Sequence, residues 1–184
     1  LRSPSRPMTD DLPFFRYHPD PLATGSIQQS DSVCECCGLA RGFVNTCNFY
    51  STSEEQIFCP WCISTGLAAK KFDGIFCDDY SLINAGLPTS IIEEVTQRTP
   101  GFNSWQSEAW LTCCGDACEF YGDAPVDEVK NLSDPQLVQM QEITALSVDR
   151  LRTMAANYIP ASSPAFYKWK CRVCGNLKYF VDYS

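Results

Sequence analysis

Histidine is almost absent from this chain of 184 residues, since His18 is its only one. A single histidine makes a Ser-His-Asp triad improbable and leaves no room for a histidine-rich catalytic metal site. His18 stands between Arg16 and Asp20, and this is the only polar constellation outside the cysteines that points toward catalysis. No nucleophile is marked beside it, and buried or turn-forming histidines are commoner than catalytic ones. We therefore do not expect an enzyme.

Long apolar runs are also missing. None approaches the roughly 20 residues that a helix needs to span a bilayer, so no membrane helix is expected. The first eight residues lack the apolar segment of a signal peptide, and we expect a cytoplasmic protein. Met8 is a plausible native start, which would make residues 1–7 a cloning remnant.

Basic side chains are fewer than acidic ones, 14 against 22, for a formal charge of −8. Such a balance argues against a protein that coats nucleic acid and favours a basic protein partner, although it can equally serve solubility alone.

Cysteine, in contrast, is abundant, with twelve in the chain. Two Cys-x-x-Cys units, Cys34 with Cys37 and Cys59 with Cys62, have spacings typical of paired zinc-binding turns. We expect them to hold one zinc ion within a first zinc-knuckle region, residues 31–80, in preference to an iron–sulfur cluster. The alternative is thiol redox chemistry at Cys59 and Cys62, but a second Cys-x-x-Cys nearby and the lack of βαβ alternation favour metal.

A second zinc site is expected from Cys171 and Cys174 together with Cys114 and Cys118. Its two halves lie in residues 103–121 and 165–184. The spacing leaves open whether Cys113 or Cys114 is the ligand, and we favour Cys114. A metal joining these segments would close a long loop of the chain and remove much entropy from the unfolded state.

The two sites, each closed by four cysteines, are expected to be structural rather than catalytic. The remaining cysteines are expected to be buried apolar residues; they are Cys36, Cys47, Cys77 and Cys113. Four thiolates around one Zn²⁺ carry a net charge of −2, so two sites would take the formal −8 to about −12.

The fold class that follows is α+β, with small zinc-stabilised β-hairpins packed against a few helices. Residues 8–184 are expected to form a single domain. Apolar spacings predict one long helix over 134–158 and a short one over 103–111, while residues 165–184 read as two strands around the Cys171–Cys174 turn.

The N-terminal segment, residues 9–30, and the cysteine sets together resemble the CbrC family of bacterial proteins. The residues that carry the resemblance are Phe15-Arg16-Tyr17-His18-Pro19-Asp20-Pro21, Thr24-Gly25, Cys34-x-Cys36-Cys37, Cys59-Pro60-Trp61-Cys62-Ile63, Arg98-Thr99-Pro100-Gly101-Phe102, Trp105-Gln106-x-Glu108, Cys114-Gly115-Asp116-x-Cys118 and Cys171-x-x-Cys174-Gly175. The chain departs from the CbrC pattern at Cys113, where members of that family have histidine. The resemblance implies a protective, immunity-like role, because that family takes its name from a member linked to tolerance of a nuclease colicin.

Two classes of function other than catalysis remain. A non-catalytic zinc protein would act through a protein partner, such as a basic toxin domain, as an immunity or antitoxin-like factor. A nucleic-acid-binding zinc ribbon would use Lys168, Lys170, Arg172 and Lys178 with the aromatic residues among them. We favour the first, because those aromatic residues are better explained as core.

Overall fold

The structure, a computed structural model, describes residues 12–106 and 108–184. Residues 1–7, expected to be a cloning remnant, lie outside the described part. The strands are β1 (Ile27–Gln29), β2 (Phe43–Asn45), β3 (Thr112–Cys113), β4 (Asp116–Ala117), β5 (Glu119–Asp123), β6 (Ala165–Lys170) and β7 (Leu177–Asp182). The helices are α1 (Pro60–Ser64), α2 (Leu67–Phe72), α3 (Tyr80–Asn84), α4 (Thr89–Arg98), α5 (Val126–Lys130), α6 (Asp134–Thr144) and α7 (Val148–Ala156).

Among the described residues, all strand pairs are antiparallel, and they form three small sheets. Strand β1 pairs with β2, strand β3 pairs with β4, and β6 lies between β5 and β7. The β6–β7 hairpin pairs Ala165 with Asp182 at one end and Lys170 with Leu177 at the other. These sheets, combined with seven helices among the described residues, confirm the α+β class and the two C-terminal strands.

The apolar interior is divided into three clusters. The first is an aromatic core in which Phe102, Trp110, Phe120 and Trp169 lie within contact of one another, with the rings of Phe102 and Phe120 stacked at 4.3 Å. A second cluster surrounds the cysteines of the first Cys-x-x-Cys pair, and a third packs α6 and α7 against β7. Both expected zinc regions therefore border a hydrophobic core, which can fix the turns that carry the cysteines.

The long helix expected over 134–158 is wrong, because the structure has two helices there. Ala145 adopts a left-handed conformation, φ 57°, which ends α6. The hydroxyl of Ser147 then accepts a hydrogen bond from the backbone NH of Arg150 and caps α7. This arrangement lets both helices contribute to the same apolar cluster beside β7. A run of apolar residues at helical spacing does not reveal such a break.

The helix expected over 103–111 is also absent from the described part of that segment. The backbone NH groups of Trp105 and Gln106 instead donate to the buried carboxylate of Asp182. Because these NH groups are satisfied by a side chain from β7, they do not need helical hydrogen bonds.

Candidate metal centres

Four cysteines of the first zinc region converge on one point. The Sγ atoms of Cys34, Cys37, Cys59 and Cys62 all lie within 4.8 Å of one another, and those of Cys37 and Cys59 are 3.9 Å apart. Three of the four side chains are buried, and Cys37 is half-buried. The spacing of the sequence thus predicted a group that the fold brings together in full.

The two halves of this group are a turn and the start of a helix. In the first half, the NH of Gly38 donates to the Cys34 carbonyl at 2.7 Å and the NH of Cys34 donates to the Leu39 carbonyl at 3.0 Å. Gly38 has φ +71°, a conformation that favours glycine. In the second half, Cys59 immediately precedes α1, and its own NH points at the Cys34 sulfur at 3.2 Å. This NH stabilises a thiolate at Cys34.

Hydrogen bonds among the four thiols favour the thiolate form at Cys34. The hydrogen bond from Cys59 is the largest influence on Cys34, and with backbone NH groups it lowers the Cys34 pKa despite burial. The same hydrogen bond, followed by burial, raises the pKa of Cys59. A cation placed among the four sulfurs would remove this imbalance by favouring thiolate at every position.

A second group forms from Cys113, Cys114, Cys171 and Cys174, whose Sγ atoms also lie within 4.8 Å of one another. Cys113 is 3.7 Å from Cys114 and 3.9 Å from Cys174, sulfur to sulfur. Cys114 and Cys174 are exposed, Cys113 is half-buried and Cys171 is buried. The second group is therefore far more open to solvent than the first.

Each half of the second group is the tip of a hairpin. Cys114 and Gly115 join β3 to β4 and both have positive φ, 54° and 75°, which is the geometry of a type I′ turn. The other half repeats the turn at Cys34: the NH of Gly175 donates to the Cys171 carbonyl at 3.0 Å, and the NH of Cys171 donates to the Asn176 carbonyl at 2.9 Å. The same local structure thus presents two cysteines in each group.

This geometry corrects the expected membership of the second set at one position. Cys118, predicted as a ligand, lies outside the group, and Cys113 occupies its place beside Cys114. The reason is the hairpin register, which pairs Cys113 with Asp116 at the tip and leaves Cys118 beyond the end of β4. There Cys118 is fully buried in the aromatic core, and its carbonyl accepts the Trp110 indole NH at 2.9 Å.

The distances in both groups fit a tetrahedral metal ion better than disulfides. Four sulfurs about 2.3 Å from a Zn²⁺ ion lie about 3.8 Å from one another. The Cys37–Cys59, Cys113–Cys114 and Cys113–Cys174 sulfur pairs, at 3.7–3.9 Å, match this spacing, and the remaining pairs lie within 4.8 Å. A disulfide needs about 2.05 Å, and all twelve cysteines are free. Four thiolates are also a donor set that favours zinc over hard cations such as Mg²⁺ and Ca²⁺, which prefer oxygen ligands. The residues present therefore fit two metal ions.

A charged residue follows the first cysteine of each turn and links the two halves of its group. The Glu35 carboxylate accepts the NH groups of Gln56 and Ile57, both at 2.7 Å, just before Cys59. Arg172 lies 3.5 Å from the carboxylates of both Asp116 and Glu119, next to the β3–β4 hairpin. These contacts join the two halves of each group in addition to the cysteines.

Of the four cysteines expected to be buried apolar residues, three are buried, whereas Cys113 belongs to the second thiol group. Cys36, Cys47 and Cys77 are each under 8% exposed. Burial raises the pKa of Cys47 to about 12 and that of Cys77 well above its ordinary value. Neutral thiols of this kind behave as small apolar side chains.

His18 is also buried, and its partners are structural. One ring nitrogen, Nδ1, donates to the carbonyl of Pro100 at 2.8 Å, so the other, Nε2, accepts from the Thr24 hydroxyl at 2.7 Å. Burial lowers the pKa of His18 to about 4, which keeps the ring neutral at physiological pH. The histidine joins the N-terminal loop to the segment after α4, and neither thiol group includes it.

Several aromatic side chains of the basic C-terminal hairpin are buried. Phe166 and Trp169 are fully buried, and Tyr179 is nearly so. Lys168 forms an ion pair with Glu128 at 2.7 Å, and Arg172 is paired as described above. These three rings are therefore part of the core and are not available for base stacking.

With this geometry in place, comparisons identify the family. A family profile described as "Uncharacterised protein family (UPF0167)" matches residues 12–183. The chain belongs to this family. The resemblance to CbrC proteins predicted an uncharacterised bacterial family, and that coarser statement is confirmed.

The relatives cover nearly the whole chain. "UPF0167 protein PA1536" of Pseudomonas aeruginosa is 44% identical over 179 residues, which is 96% of this chain and 100% of the relative. The UPF0167 proteins Mb2317 of Mycobacterium bovis and MT2352 of Mycobacterium tuberculosis are each 35% identical over 176 residues, 94% of either chain. No solved structure matches the chain significantly. No helix among the described residues is both long and apolar enough to cross a membrane.

Proposed function

We propose that this UPF0167 chain is a non-catalytic protein that binds two structural zinc ions and acts by binding a protein partner. The observation that carries the metal part is the pair of four-thiol groups, each with all sulfurs within 4.8 Å. Bound zinc would hold the two halves of each group together and contribute folding free energy rather than a reaction centre.

The donor sets argue for structural rather than catalytic metal. A catalytic zinc usually keeps one coordination position for water or substrate and often uses histidine or carboxylate ligands. Each group here offers four thiols, and the nearest carboxylates are engaged with backbone NH groups or Arg172. Thiol redox chemistry at Cys59 and Cys62 is disfavoured for the same reason, because Cys34 and Cys37 lie at metal-site distance from that pair.

Chelation separates a structural metal from a catalytic one. Zinc release and loss of the near-UV circular dichroism signal should follow the same curve as a tight chelator is added, because the metal joins segments distant in sequence. Addition of zinc should restore the signal. Metal release that leaves the fold and the cooperative unfolding transition unchanged would contradict the structural assignment.

The partner part of the proposal rests on charge. The formal −8 of the chain becomes about −12 when two four-thiolate zinc sites are counted. A basic partner would be attracted to such a surface and would associate faster at low salt. A nuclease toxin has a basic face for its own substrate, so an immunity or antitoxin role is the partner function we favour.

A co-expression experiment tests this role. The chain should form a stable complex with a toxin domain encoded beside its own gene, and the association rate should fall as salt is raised. Cells expressing the chain should survive that toxin. Survival equal to that of cells without the chain, together with no complex at low salt, would contradict the antitoxin role and leave the zinc assignment intact.

A further inference from the structure

A pocket of about 420 Å³ lies apart from both thiol groups, and none of the eight grouped cysteines lines it. Four segments meet there: residues 23–26, residues 102–105, strand β5, and residues 161–167. The volume falls within the roughly 300–1,000 Å³ that is usual for small-ligand sites. Neither the metal sites nor the proposed partner surface gives this pocket a role.

Aromatic rings form much of the lining. Phe102, Phe120 and Tyr167 are buried and supply its inner wall. Trp105 and Tyr121 line the same pocket but are 57% and 39% exposed, so they stand toward solvent. Large exposed rings at the edge of a pocket are well placed to cover a ligand, and ring faces attract cations.

The charge of the pocket has one sign. Asp123 is the single charged side chain in the described lining, which includes no lysine, arginine or histidine. Its Oδ2 atom accepts the NH of Ala161 at 2.8 Å, which fixes the carboxylate in position. The buried carboxylate of Asp182 lies directly behind the Trp105 loop and accepts its NH groups. An anionic ligand would meet repulsion here and a cationic one attraction.

The walls are held in place without a ligand. The Tyr167 hydroxyl donates to the Asn103 carbonyl at 3.0 Å. Gly122 has φ +74°, and a Cβ there would lie 3.0 Å from the Thr24 methyl group, so the N-terminal loop packs directly on β5. A pocket whose backbone is fixed in this way spends little free energy on ordering when it binds.

We propose that this pocket binds an organic cation, either an alkylammonium or an alkylguanidinium group. The charged group faces Asp123, and its carbon chain lies against the rings of Trp105 and Tyr121. The source of that group is either a free amine or a lysine or arginine side chain of a bound peptide, since the chemistry is the same in both.

Chemical-shift titration of the zinc-loaded protein tests the proposal with four matched probes. Butylammonium and butylguanidinium should shift the NH signals of Gly25 and Gly122 and the Trp105 indole signal. Butanol and butyrate, of equal chain length, should shift them far less. Equal shifts from butanol and butylammonium, or no shift from either cation, would overturn the proposal.

Two variants locate the site. Asp123→Asn removes the charge but keeps an acceptor for the Ala161 NH, and it should weaken butylammonium binding about tenfold. Trp105→Ala changes an exposed ring and should weaken it a few-fold. The matched control is Asp149→Asn on α7, whose side chain is 96% exposed and which should bind like the wild type. Unchanged affinity in Asp123→Asn would refute the assignment of the charged group.

Blocked tripeptides identify the source. Tighter binding of Gly-Lys-Gly or Gly-Arg-Gly than of the free amines points to a peptide side chain, and the reverse points to a free amine. Gly-Glu-Gly should not bind, and its binding at the affinity of Gly-Lys-Gly would contradict the cation selectivity.

Discussion

The ligand set of the second group differs from the set predicted by spacing at one position, where Cys113 takes the place of Cys118. We predict that Cys113→Ala lowers the zinc content from two ions to about one, whereas Cys118→Ala keeps both. Cys113 lies 3.7–3.9 Å from two other sulfurs of the group. Cys118 lies outside the group, fully buried in the aromatic core.

The cost of losing the second metal follows from the loop that it closes. Cys114 and Cys171 are 57 positions apart in the sequence, and a cross-link across that length removes unfolded-state entropy worth about 4 kcal/mol. Loss of the site through Cys113→Ala should therefore lower the free energy of unfolding by up to about 4 kcal/mol. Cys118→Ala leaves only a small gap in the core, at about 1 kcal/mol.

Native mass spectrometry after dialysis against a mild chelator counts the zinc, and urea unfolding measures stability. A Cys118→Ala protein with one zinc, beside a Cys113→Ala protein with two, would refute the assignment made from the hairpin register. Two zinc ions retained in both variants would show that neither sulfur is a ligand.

Other predictions concern backbone fit and titration. Gly101→Ala should prevent folding, since its Cβ would lie 2.0 Å from the Phe76 carbonyl oxygen. Gly86→Ala meets open space but has φ +70°, so it should lower the free energy of unfolding by only about 1 kcal/mol. Soluble yield and urea unfolding check both variants. Burial raises the pKa of Glu108 from 4.5 to about 7, so its contribution to stability is present at low pH and lost as pH rises from about 4.5 through 7. Glu108→Gln should therefore gain stability over the wild type at about pH 8 and not at about pH 5, and equal differences at both would contradict this. Burial lowers the pKa of His18 to about 4, so its contribution to stability is present above about pH 6.5 and is lost as pH falls toward 4. NMR titration should find the ring neutral at pH 6. A pKa near 6.5 would contradict the buried placement.

The first metal group was predictable because its information is local. Each Cys-x-x-Cys unit specifies a local structure, a turn at Cys34 and a helix start at Cys59, which places its own two sulfurs side by side. The same backbone hydrogen bonds close the turns at Cys34–Gly38 and Cys171–Gly175, so the structure of these turns is set locally. The strands on either side of the second of these turns were predictable for the same reason.

The second group was predicted at three of its four members, because the fourth depends on register. Sequence spacing alone allows any of three cysteines to be a metal ligand here, namely Cys113, Cys114 and Cys118. The type I′ turn at Cys114-Gly115 decides which of them stay at the tip, and a Cys-Gly pair followed by aspartate was the available signal. The extra sulfur then belongs to the core.

Tertiary contacts decided the remaining differences. Ala145 ends α6 in a left-handed conformation that no local signal demanded, and Asp182 binds the NH groups of a loop some 77 positions away. The pocket beside that loop joins four segments from across the chain. Contacts of this kind depend on packing rather than on the periodicity of any one segment.

We propose that two closed four-thiolate zinc sites hold this fold together. X-ray absorption at the zinc edge, combined with metal analysis of the purified chain, tests it most directly. We predict two zinc ions per chain and only sulfur ligands, four per zinc at about 2.3 Å. Fewer than two zinc ions, or nitrogen or oxygen among the ligands, would contradict it.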